Sequence, residues 1–163
     1  DQGDVEGAIA LYQQSLEIKE KIGDVQGKAA TLHQLAELKA TQGDVEGAIA
    51  LYQQSLDIKE KIGYVKGKAA TLHCLAMLKA NQGDVEGAIA LYQQSLEINE
   101  KIGDVKGKAA TLAMMGQLLA DKKGHFETAI PYLQESLAIL QRIGSPDART
   151  VQDILNRITG ESS

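Results

Sequence analysis

The stretch GDVEGAIALYQQSL begins at Gly3 and returns unchanged at Gly43 and Gly83. No other feature constrains the fold so tightly. Verbatim recurrence every forty residues is the mark of stacked units, each packing against its neighbour in the same way. Blocks starting at Gly3 and Gly43 differ at six positions: Glu17/Asp57, Asp24/Tyr64, Gln26/Lys66, Gln34/Cys74, Glu37/Met77 and Thr41/Asn81. The second and third blocks differ at eleven.

Each block carries two helical patterns. In the first, Ala8, Leu11, Tyr12, Ser15, Ile18 and Ile22 recur at helical spacing, with Ile9 and Leu16 as a second apolar side. Asp4, Asp44 and Asp84 stand at N-cap positions, and Gly23, Gly63 and Gly103 where a helix stops. The second pattern runs from about Val25 to Thr41, with Val25, Ala29, Leu32, Leu35, Ala36 and Leu38 inward. A helix that is apolar on two sides must lie between its pair-mate and the next repeat. Ala8, Ala48, Ala88 and Ala129 mark a close helix approach, and Ser15, Ser55, Ser95 and Ser136 a second packing position.

These residues resemble the tetratricopeptide repeat family. Leu32-x2-Leu35-Ala36 and Leu72-x2-Leu75-Ala76 are similar to its W-x2-L-G signature, and Ala48, Tyr52 and Ser55 stand at its small–aromatic–small positions. The longer period and the absent terminal proline resemble the forty-residue variants of kinesin light chain and Pins-type adaptors. The resemblance implies an all-α, right-handed α-solenoid of antiparallel helix pairs, about eight helices in all. Residues 4–22 form an unpaired second-type helix; 25–62, 65–102 and 105–143 form pairs, and 145–160 a polar-faced cap. Ser145 and Pro146 suit the N-cap and first turn of that last helix, with Val151, Ile154, Leu155 and Ile158 inward. Pro131 is expected to distort its helix locally without breaking it. A chain that opens on Asp1 with an unpaired helix is expected to be cut from a longer array.

Composition narrows the function. A net charge of −5, with both signs mixed along the chain, argues against nucleic acid or a membrane surface as partner. A single cysteine, Cys74, excludes an internal disulfide and favours a reducing, cytoplasmic setting. Catalytic residues are expected to be none, and so are cofactors and metal. His33 and His73 show no carboxylate or thiol at ligand spacing, and adjacent His73 and Cys74 point to different sides of a helix. His125 replaces an N-cap Asp, and the charged EIKEKIGD rows are expected to form a solvated edge.

Differences between copies locate the candidate binding face. With Leu32 at zero and about 100° per residue, Gln34, Glu37 and Thr41 fall at about 200°, 140° and 180°, opposite the core. The resemblance implies that this face of each first-type helix lines a partner-binding groove. Its candidates are His33, Gln34, Glu37 and Thr41; His73, Cys74, Met77 and Asn81; and Met114, Gln117 and Asp121. Lys28, Lys68 and Lys108 could reach its edge. A methionine-bearing groove without a basic clamp suits an apolar or amphipathic protein segment. The alternative is a self-associating spacer array, a homo-oligomer stacked end to end through Ala8, Leu11, Tyr12 and Ser15 of the unpaired helix.

Overall fold

A computed structural model describes residues 2–123 and 125–160, apart from the side chains of 2–4, 122 and 123. Among them are eight α-helices and no strand: α1 (Gln2–Ile22), α2 (Val25–Thr41), α3 (Val45–Lys61), α4 (Val65–Asn81), α5 (Val85–Ile102), α6 (Val105–Lys123), α7 (Phe126–Arg142) and α8 (Asp147–Thr159). The chain forms two compact units, residues 1–78 and 79–163.

The helix boundaries follow from local chemistry. Asp24, Asp44 and Asp84 each accept a bond from the backbone N–H three residues on, satisfying one orphan donor of the first turn. Helix α1 starts at Gln2, ahead of the expected cap Asp4, whose side chain lies outside the described residues. Gly23, Gly63, Gly103 and Gly144 take φ between 66° and 72° after α1, α3, α5 and α7, a conformation that a Cβ would strain. At α7 the cap position is His125, which gives no side-chain bond. At α8 it is Pro146 rather than Ser145, although Ser145 Oγ still accepts from the Asp147 N–H at 3.3 Å. Helix α7 continues through Pro131, which cannot donate to the carbonyl one turn back.

In the first unit, the buried core comes from Ala29, Leu32, Leu35 and Ala36 of α2, Ala48, Tyr52 and Leu56 of α3, and Ala69, Leu72, Leu75 and Ala76 of α4. Ser55 Oγ, fully buried, donates to Ala29 O at 2.7 Å and ties α3 to α2. In the second unit, Ala109, Leu112, Leu133, Ile139, Leu140, Val151 and Leu155 form one cluster, with Ile154 and Ile158 packed against it. Ser136 Oγ repeats the serine bond to Ala109 O at 2.8 Å. The serines are therefore scaffold, as their recurrence predicts.

Three expectations need correction. Val25, expected inward, is exposed, as are its counterparts Val65 and Val105. The charged row is not wholly solvated: Lys59 is 4% exposed, and its ammonium donates to Thr71 Oγ1 at 2.8 Å. Lys19 likewise donates to Thr31 Oγ1 and Gly27 O. The Lys59 stem runs along the facing helix where Gly67 leaves room; a Cβ on Gly67 would come within 3.2 Å of Lys59 Cδ. Finally, the ammonium groups of Lys28 and Lys68, which could reach the groove edge, are held in ion pairs. They pair with Glu20 and Glu60, the latter at 2.7 Å, and Lys108 pairs with Glu100 and Glu135 at 2.9 and 2.6 Å.

Candidate binding face and comparison with known proteins

The candidate face can be followed within each unit. In the first, Gln34, Glu37 and Thr41 of α2 and Met77 of α4 are exposed, while His33, His73 and Cys74 are half-buried. In the second, Asn81 and Asp121 are exposed and Met114 and Gln117 half-buried. None of the eleven is buried, whereas Leu32, Leu35, Leu72, Leu75, Leu112 and Met115 beside them are. Helical geometry explains the split: positions about half a turn from the buried stripe stay accessible. Asp121 is already engaged by Arg157 of α8 at 2.7 Å.

Lys39 and Lys79, which replace the tyrosine common at this position in the tetratricopeptide pattern, bind the cap carboxylates Asp44 and Asp84 at 2.6 and 2.7 Å. The lysines and the Gly47 and Gly87 N–H groups hold those carboxyls below the usual range. In the third copy both partners change together, to Leu119 and His125.

The first unit contains a denser cluster. The His33 ring meets Tyr52 of α3 edge to face, with centroids 5.0 Å apart, and its Nδ1 lies 3.2 Å from Thr71 Oγ1. Burial, with the Lys59 cation nearby, lowers the His33 pKa to about 4, so the imidazole is neutral at physiological pH. Burial also raises the Tyr52 phenol and Cys74 thiol, which share a hydrogen bond, and lowers the Lys59 ammonium. One ligand atom each from His33, Glu37 and Cys74 lies within 4.8 Å of the others. The sequence reading, which found no carboxylate or thiol at ligand spacing from His33, is corrected here. The one-turn spacing of His33 and Glu37 was a usable sign; the approach of Cys74, from the next copy, was not.

The tetratricopeptide repeat profile matches residues 1–61 and 67–142. No curated protein matches the sequence. Among solved structures, the chain is similar to a Podospora anserina protein assigned as a kinesin light chain with nearly identical TPR-like repeats. The identity is 23% over 98% of this chain and 79% of that one, with a TM-score of 0.77. It is also similar to BtubC (BKLC) from P. vanneervenii, at 22% identity over 94% of this chain and 65% of that one, with a TM-score of 0.80. At such identity the likeness establishes the fold, an all-α helical solenoid. No helix among the described residues is long and apolar enough to cross a membrane. The caps, the alanine and serine packing positions and the profile match agree: this chain belongs to the tetratricopeptide repeat family, whose members serve generally as non-enzymatic scaffolds for protein interaction.

Proposed function

We propose that the accessible face of α2 and α4 in the first unit holds an apolar or amphipathic segment of a partner protein. One observation carries this reading. Copies one and two of the first-type helix differ at Gln26/Lys66, Gln34/Cys74, Glu37/Met77 and Thr41/Asn81, and of these eight side chains all are exposed but Cys74, which is half-buried. Positions that must fit a neighbouring helix are kept; positions free of that duty vary. Met77, 39% exposed, offers an adaptable apolar contact flanked by amides and acids. Affinity for peptides selected from a random library tests the reading. Met77→Glu and Gln34→Arg should each weaken a selected peptide at least tenfold; unchanged affinity in both variants refutes it.

A second reading, self-association through α1, is favoured by exposure of Leu11, Ile18 and Ile22 at 67%, 57% and 70%. Ala8 and Ser15 are half-buried, while Ala48 and Ser55 are fully buried. Sedimentation velocity separates the readings. Stacking predicts concentration-dependent oligomers that Leu11→Glu abolishes, and a monomer at all concentrations rules it out.

A further inference from the structure

We propose that His33, Glu37 and Cys74 form a three-ligand site for a borderline-soft divalent transition ion of the zinc class, built from the first-type helices of two consecutive copies. The donor set is imidazole nitrogen, carboxylate oxygen and sulfur, a combination suited to Zn2+ rather than to Ca2+ or Mg2+, which select oxygen. His33 and Glu37 stand one turn apart on α2, and Cys74 comes from α4. Their ligand atoms lie within 4.8 Å of one another. A tetrahedral zinc sphere needs them about 3.3–3.7 Å apart. Glu37 is exposed, so the closure falls on a side chain with open space around it rather than on backbone.

The hydrogen bonds around Thr71 favour one imidazole nitrogen as the ligand. Thr71 Oγ1 donates its single proton to Gly67 O at 2.9 Å and accepts from the Lys59 ammonium at 2.8 Å. Its contact with His33 Nδ1 at 3.2 Å must therefore take a proton from the ring. With Nδ1 on Thr71, Nε2 is the ring nitrogen left to hold an ion, and Thr71 acts as the outer partner that orients the ring. On binding, the Cys74 S–H bond breaks, its proton leaves to solvent and a sulfur–metal bond forms; nothing is oxidised or reduced. The Lys59 ammonium opposes an incoming cation, so binding is weaker than at a closed four-ligand site. Three protein ligands leave a fourth position for water or for a donor on a partner.

The corresponding sequence positions one copy later are His73, Met77 and Met114, with neither carboxylate nor thiol. One ion per chain is therefore expected. The test titrates the whole chain under a non-chelating reductant, with Zn2+ alone by calorimetry and with Co2+ alone by absorption. The expected result is unit stoichiometry and a sulfur-to-cobalt charge-transfer band. Glu37→Gln, at an exposed position that folding tolerates, should weaken binding at least tenfold, and Cys74→Ser should remove the band. Glu97→Gln, at an exposed carboxylate of another helix, should change neither. Absence of binding overturns the proposal, and so does binding that survives both Glu37→Gln and Cys74→Ser, which would place the ion on other surface carboxylates.

Discussion

Gly116 offers a sharp test of how the copies are fitted together. Copies one and two carry Ala36 and Ala76 at this position of the first-type helix, and the second-type helix supplies Tyr12, Tyr52 and Tyr92 where α7 has Leu133. A Cβ on Gly116 would meet Leu133 Cγ at 2.7 Å, Leu133 Cδ2 at 3.1 Å and the Ala129 backbone oxygen at 3.2 Å. Leu133 is fully buried, so it has little room to yield. Two effects oppose each other in Gly116→Ala. Helix propensity favours alanine by about 1 kcal/mol, while overpacking costs about 2 kcal/mol. The net expectation is destabilisation by about 1 kcal/mol. Leu133→Ala alone should cost about 3 kcal/mol as a large-to-small core change. In the double variant the clash is gone and the propensity gain remains, so the loss should be about 2 kcal/mol rather than the additive 4, a coupling of about 2 kcal/mol. Urea unfolding followed by circular dichroism measures all four corners, with unchanged slopes required for the comparison. A Gly116→Ala variant more stable than the parent, or an additive double variant, would refute the steric account.

Ser55→Ala should cost about 1 kcal/mol through loss of the buried bond to Ala29 O, while Ser15→Ala, half-buried on α1, should stay within about 0.5 kcal/mol; thermal melts distinguish them. The lowered Asp44 carboxyl contributes stability that is present above its unfolded pKa of 3.8 and lost as pH falls through the lower folded value. An acid titration of Asp44→Asn should therefore show a shallower loss below that pH than the parent, a difference that shrinks in high salt. Lys59→Met should stabilise the fold by about 1 kcal/mol, because the desolvated ammonium goes while the Thr71 hydroxyl keeps Gly67 O as acceptor; chemical denaturation showing a comparable loss would mean that the cation is a net stabiliser.

The architecture was legible because its determinants are local and repeated. Asp44 and Asp84 cap, Gly63 and Gly103 stop, and Ala48 and Ser55 pack, each within a few residues of the helix it governs. The accessible arc was legible for a similar reason: a projection at about 100° per residue separates Gln34, Glu37 and Thr41 from Leu32 and Leu35 without any tertiary knowledge. Lys59 escaped because a Lys-Glu-Lys row looks solvated in one dimension. Its burial depends on Gly67 and Thr71 of the facing helix, which supply the space and the acceptor. Lys28 and Lys68 escaped in the same way, since their partners Glu20 and Glu60 lie across a turn. The meeting of His33 with Cys74 depends on how one copy stacks on the next, which no spacing within a copy encodes.

Thr71 connects these scaffold and site features. Its counterparts Thr31 and Thr111 are also buried, and Thr31 accepts from Lys19 as Thr71 accepts from Lys59. The threonine therefore belongs to the repeated packing rather than to any one ligand. Yet the same hydroxyl orients His33, whose ring is also held against Tyr52. The orientation of that imidazole is thus a by-product of residues already required to stack helices. Against this fixed background, the position occupied by Gln34 in the first copy is Cys74 in the second. That one difference places a thiol beside a neutral imidazole and an exposed carboxylate. Near-identical copies make such a step inexpensive: the invariant residues maintain the geometry, and a single accessible side chain can change the chemistry without disturbing the stack.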